Sequence, residues 1–297
     1  MSRRHVIMLL ALAAVWGVSF LFIEIALREL APTTVILFRI AAGALALGIY
    51  VALRGHGFGG LRAYLGSLAL MGAFNTAFPF FLITWGQQYI DSGLAAILNA
   101  SAPIFTAVFA LGVDRSQRVT GLRLVGIVLG FVGIVALVGF EPGGGDRAIW
   151  GSLAVVGATV CYALGGLYAG RRFVGLRPEL VAFGSLCFAS VFALPLGAAN
   201  ASAFGWETLA ALLFLGVAAT AVAYLLYFGL IAGAGASRAI LVTYLVPSLA
   251  LVYGAVLLDE QISALALDEQ ISALALVGLA LVLSGVALGT RRAPVAS

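Results

Sequence analysis

The 297-residue chain is 63% hydrophobic and only 9% charged, with a mean hydropathy of +1.14. A soluble domain carries about 25% charged residues, so the composition excludes a soluble enzyme or binding module and defines an integral membrane protein. The net charge of +4 rests on arginine alone, since there is no lysine, and the arginines stand in short clusters between apolar runs. Such clusters orient a chain in a lipid bilayer; they do not form a nucleic-acid surface, and nucleic acid is not an expected partner.

A helix needs about 20 apolar residues to cross the hydrocarbon core. Arg3 and Arg4 precede the first such run, 6–27. That run outlasts the apolar region of a secretory signal and shows no clear cleavage site, so it reads as a first membrane helix. Further runs follow at roughly 33–53, 64–85, 92–113, 121–140, 149–170, 179–199, 207–231, 237–258 and 271–289. The pattern predicts an all-α integral membrane fold of ten transmembrane helices with short connections. With the N-terminus in the cytoplasm, the two tails and the even-numbered connections hold thirteen arginines, and the opposite side holds two, Arg28 and Arg147. The positive-inside rule then puts both termini in the cytoplasm. Cys161 and Cys187 fall inside apolar runs and read as small buried residues without a disulfide.

The two halves of the chain are alike. Trp16 and Pro32 are sixteen residues apart, and so are Tyr162 and Pro178. Each pair puts an aromatic ring in the first helix of a half and a proline at the start of the second. Further on, GLAAILNASAPIFTAVFALG (93–112) is similar to SRAILVTYLVPSLALVYGAV (237–256), with Pro103 opposite Pro247. Residues 1–145 and 146–297 therefore read as two five-helix repeats. Five is odd, so the second repeat enters the membrane from the other side, the inverted topology of many secondary carriers. Near the end the nonapeptide DEQISALAL occurs twice in succession, at 259–267 and 268–276. Nine helical residues turn the chain through about 900° and reverse the face it presents, so one copy is expected to be extruded at the external surface.

The stretches WGVSFLFIEIAL (16–27), FRIAAGALAL (38–47), GLAAILNASAPIFTAVFAL (93–111) and AYLLYFGLIAGAGASRAILVTYLVP (223–247), followed by LLDEQISALAL and VGLALVLSGVALG, carry a resemblance. In this order they resemble the EamA branch of the drug/metabolite transporter superfamily, over nearly the whole chain. Within it the nearest fit is the bacterial exporters of aromatic and other neutral amino acids. The resemblance implies inverted halves around a central cavity, a bacterial inner-membrane location, and export from the cytoplasm. The family pattern sets an acidic residue nine positions before a glycine in the tenth helix. Glu269 stands nine before Gly278 and Glu260 eighteen, so one nonapeptide is surplus to that pattern.

Polar groups inside a bilayer are costly and face a bundle interior or a wet cavity. Asn75 and Asn99 are the leading substrate contacts, because an amide both donates and accepts toward a zwitterion; helix–helix glue is the competing role. Thr76, Thr84, Ser101 and Thr243 accompany them. Trp16, Phe78, Tyr162, Tyr224 and Tyr244 are candidate rings for holding an apolar or aromatic side chain, against ordinary packing. Glu24 and Arg39 are the two charges clearly within spans, and at 1.5 Å per residue their depths differ by a few Å. They read as a gate or coupling pair, or as a structural ion pair or snorkelling side chains. Pro103 and Pro247 are candidate hinges. Gly126, Gly130 and Gly133, with Gly285 and Gly289, make small-residue faces for close helix approach, within the chain or in a weak homodimer.

Together these features predict a secondary transporter that moves a small-molecule substrate, most of all an aromatic or neutral amino acid, out of the cell by alternating access, as a monomer or weak homodimer. An exporter of a drug, nucleoside or purine, or a channel without turnover, is the alternative. An intramembrane enzyme is not expected. There is no HExxH motif, His5 and His56 lie in a tail and a connection, and Glu24 has no second embedded acid near it. No catalytic residue, metal ligand or cofactor is assigned.

Overall fold

The computed structural model describes residues 1–55, 57–90, 92–113, 121–138, 145–247 and 249, with 280–281, 284–286 and 288 near the C-terminus. Among these residues the chain is helical apart from short turns and has no strand. The helices are α1 (Arg3–Leu27), α2 (Pro32–Leu53), α3 (Phe58–Gly86), α4 (Leu94–Gly112), α5 (Leu122–Val138), α6 (Gly145–Arg172), α7 (Pro178–Ala199), α8 (Trp206–Ala234) and α9 (Ala236–Pro247). Seven of them, all but α5 and α9, are long and apolar enough to cross a membrane. The first eight expected spans fall on these helices in order, and α9 covers the first half of the ninth, whose remainder lies almost wholly outside the described residues. Most of the tenth span and both copies of DEQISALAL lie outside the described residues.

Local chemistry sets the helix ends. Ser2 caps α1 by accepting the His5 N–H at 3.4 Å. Pro32 and Pro178 open α2 and α7, where a missing N–H loses no helical bond and the fixed φ suits the first turn. The residues before them, Ala31 and Arg177, are extended, as steric contact with the proline ring requires. Gly235 separates α8 from α9 at φ +88° and ψ 153°, a conformation essentially open to glycine alone.

α3 and α8 each widen into a π-helical stretch at mid-length, Gly72–Ala77 and Phe214–Val222. Such stretches leave backbone groups out of the regular i→i−4 ladder. Pro79, four residues after Asn75, has no N–H to give to the Asn75 carbonyl. That carbonyl instead accepts the Tyr224 hydroxyl, at 3.4 Å.

α2 packs along α7, α1 against α8, and α3 against α6 and α7, while α2 also meets α8 and α4 meets α6. The α1–α2 and α7–α8 connections touch at one end of the bundle. There Glu29 Oε2 accepts the Gly205 N–H at 2.8 Å, and Ser202 donates to the Glu29 carbonyl at 3.3 Å. The Glu29 carboxylate thus sits on the positive N-terminal end of α8. Hydrogen bonds from Thr208, and then from Gly205, hold its carboxyl below the usual carboxylate range. At the other end, Arg172 Nε donates to Ser67 at 2.9 Å and its guanidinium lies 4.7 Å from the Tyr64 ring centroid. Close approach is made by glycines: a Cβ on Gly285 would lie 2.6 Å from the Gly126 carbonyl and from Gly130 Cα, so the two small-residue faces meet. Cys161 and Cys187 are free thiols.

Candidate functional site

A narrow cavity of about 60 Å³ lies between α1, α3, α4, α6, α8 and α9, and α2 contributes one residue to it, Arg39. Its walls are mostly ring and aliphatic: Trp16, Phe20 and Ile23 from α1, Phe80 and Ile83 from α3, Tyr162 from α6, Tyr224 and Tyr227 from α8. The polar lining is sparse, namely Ser19, Arg39, Asn75, Thr84, Asn99 and Thr243.

The two π-helical stretches flank this space and hold Arg39, Trp16 and Tyr224 on its wall. Arg39 is 6% exposed; its Nε donates to Thr220 at 3.0 Å and its Nη2 to the Ala219 carbonyl at 3.4 Å. Trp16 Nε1 donates to the same Ala219 carbonyl at 3.1 Å. The Arg39 guanidinium also lies 4.1 Å from the centroid of Phe80, a cation–π contact. Across the cavity the Tyr224 hydroxyl is 3.0 Å from Thr76 Oγ1, inside the other π stretch. Each widened stretch therefore gives a carbonyl and a hydroxyl to side chains that reach it from another helix.

Asn75 and Asn99 are 2% and 7% exposed, and the Oδ1 atom of each is buried without a hydrogen-bond partner among the described residues. An unsatisfied buried polar atom costs about 1–3 kcal/mol, so a pair of them in one cavity marks a place made for a ligand or water. Asn75 fits only because α6 carries glycine opposite: a Cβ on Gly165 would meet its side chain. A second hollow, on the far side of the α3–α6 crossing, is lined by Leu70, Phe74, Leu164 and Tyr168, and Asn75 lines it too. Asn75 thus stands between the two spaces.

Of the residues singled out from sequence, Trp16, Arg39, Asn75, Asn99, Tyr162 and Tyr224 come together on the cavity wall. Phe78 does not. It is 48% exposed on the outside of the bundle, and Phe80 faces the cavity. The π turn just before it carries an extra residue and rotates the downstream face, which a 3.6-residue period does not anticipate. Tyr244 is fully buried, but its hydroxyl donates to the Ile127 carbonyl and its ring packs on Gly130, so it ties α9 to α5. The Glu24–Arg39 pair does not form either. Glu24 is 3.9 Å from Arg28, one turn along α1, with both side chains exposed, a contact worth about 0–1 kcal/mol. Equal depth did not mean a shared face: Glu24 turns outward, and Arg39 turns toward α8. Pro103 follows a turn at Ala100–Ser101 within α4, and Pro247 closes α9 beyond a turn at Ile240–Leu241; both are buried.

Apolar helices long enough to cross a membrane, enclosing a ring-lined hollow with a few polar groups, define an integral membrane protein. The chain belongs to the EamA-like transporter family, whose profile matches residues 3–139 and again residues 149–291. The uncharacterized transporter YvbV of Bacillus subtilis (strain 168) is 28% identical over 295 residues, covering 97% of this chain and 92% of that one. The probable terminal-alkyne amino-acid exporter of Streptantibioticus cattleyicolor is 29% identical over 233 residues, covering 76% of this chain and 73% of its own length. A solved crystal structure overlays the chain with a TM-score of 0.75 at 19% identity, covering 98% of this chain and 97% of that one, a likeness of fold.

Proposed function

We propose that the protein is a secondary transporter that exports amino acids with neutral or aromatic side chains by alternating access, with both termini in the cytoplasm. In this reading residues 1–145 and 146–297 are inverted five-helix halves, ten helices in all, and the cavity lies between them. The packing supports it. Exchanging α1 with α6, α2 with α7 and α3 with α8 turns the α1–α8 contact into α6–α3 and the α2–α8 contact into α7–α3, and all four occur. The π-helical stretches lie in the exchanged helices α3 and α8. The two successive family matches and the arginine asymmetry point the same way.

The observation that carries the substrate reading is the cavity itself, with the unpartnered amides of Asn75 and Asn99 among aromatic rings. The rings suit an apolar or aromatic side chain, and the amide oxygens suit an ammonium group. The probable amino-acid exporter among the relatives is consistent with this. Alternating access needs two packings of the halves, and Pro103 and Pro247, each close to a break in its helix, are the proposed pivots.

Counterflow in proteoliposomes is the test. Vesicles loaded with unlabelled L-phenylalanine should transiently accumulate the labelled amino acid above its equilibrium level, because a carrier exchanges solute across its two states. Uptake that only equilibrates would identify a channel, and absence of any amino-acid flux would refute the substrate class.

A further inference from the structure

We infer that Arg39 is the anchor for a carboxylate on the substrate, so that the cavity selects solutes carrying that group. The inference rests on the cavity being the substrate site. Arg39 lies about two turns into the apolar helix α2 and is 6% exposed, and a cation buried there is expensive unless paired. Its partners are all neutral: a threonine hydroxyl, a backbone carbonyl and the face of Phe80. Among the described residues no carboxylate lies within 4.0 Å of it, and Nη1 makes no hydrogen bond. The acid nearest in depth, Glu24, is turned away to Arg28.

This is an incomplete coordination with a defined remainder. The hydroxyl and carbonyl of the α8 π stretch fix one edge of the guanidinium, and Phe80 fixes its plane. The cavity is left facing a planar fork whose best complement is a carboxylate accepting two parallel hydrogen bonds. The same cavity holds the buried, unpartnered oxygens of Asn75 and Asn99. One unpaired cation and two unpaired acceptors are the inverse of a carboxylate joined to an ammonium. Arg39 is therefore a specificity-determining residue rather than half of a gate.

The test uses the full-length protein in nanodiscs, with ligand-induced thermal stabilisation as the readout and three probes: L-phenylalanine, L-phenylalaninamide and 3-phenylpropionate. Wild type should bind the amino acid about 10- to 100-fold more tightly than the amide, the ratio expected for a charge-assisted hydrogen bond. Arg39→Gln should lose that preference by weakening the acid and sparing the amide. Arg39→Met, which replaces the buried cation by an apolar chain of similar length, serves if the glutamine variant does not fold. Equal binding of acid and amide by wild type, or a preference surviving in either variant, overturns the proposal and leaves the amino-acid reading standing. Binding of 3-phenylpropionate but not of phenylalanine supports the carboxylate anchor and refutes the amino-acid reading. Binding of none of the three overturns both.

Discussion

Gly165→Ala would strike the cavity by crowding Asn75, without replacing any residue that is proposed to contact substrate. A Cβ built there lies 2.2 Å from Asn75 Oδ1 and 2.8 Å from Asn75 Cβ and Cγ, where ordinary contact begins at 3.4 Å. The overlap with Oδ1 is about 1.2 Å (3.4 − 2.2), and rotating the amide relieves it. The overlap with Cβ is about 0.6 Å (3.4 − 2.8) and no rotamer relieves it, because Cβ is fixed to the α3 backbone. Hence α3 and α6 must part, or Asn75 must leave the cavity. Overpacking of this kind costs about 1–3 kcal/mol. Gly157→Ala is the control on the same helix: its Cβ meets only Leu82 Cδ1, at 3.5 Å, and alanine is about 1 kcal/mol better than glycine within a helix. Thermal unfolding and amino-acid flux, measured together in proteoliposomes, should show Gly165→Ala less stable and slower than wild type, with Gly157→Ala equal or better. If Gly165→Ala matched the control in both measurements, Asn75 would not sit against α6 as described.

Glu29→Gln should weaken the cap on α8, and its effect should depend on pH. The Glu29 carboxyl is held below its ordinary value in the folded state. Its contribution is therefore present above the unfolded carboxylate pKa and lost as pH falls through the lowered folded value. Wild type should exceed the variant in thermal stability at neutral pH, and the gap should close in acid; a gap constant with pH would refute the cap. Deleting residues 259–267 removes the surplus nonapeptide, keeps the nine-residue step from Glu269 to Gly278 and should leave flux unchanged, whereas loss of flux would show that both nonapeptides are needed.

The helix order was legible because bilayer thickness imposes a length and composition on every crossing segment, and eight of the ten expected runs, with the first half of the ninth, coincide with described helices. Asn75, Asn99, Trp16, Tyr162 and Tyr224 were legible for a related reason: polar and amphipathic groups deep in an apolar run need an interior partner. The failures share a cause. Phe78 is a ring within a span, but sequence does not say which way it faces; beyond the α3 π stretch it turns outward and Phe80 lines the cavity. Tyr244 has its hydroxyl answered by a carbonyl on α5, and sequence does not say which helix lies beside it. Arg39 was recognised as an embedded charge, and the mistake lay in assigning it the nearest carboxylate by depth. Depth follows from residue number, whereas facing depends on helix rotation.

The claim of two opposed halves is tested most directly by cysteine accessibility. With Cys161 and Cys187 replaced by serine, single cysteines at Gly57, Val174 and Ser202, all exposed, sample the α2–α3, α6–α7 and α7–α8 connections. Labelling with a membrane-impermeant maleimide should reach Ser202→Cys in intact cells, and should reach Gly57→Cys and Val174→Cys only after the cytoplasmic face is opened. Labelling of Gly57→Cys and Val174→Cys from opposite faces would contradict the account.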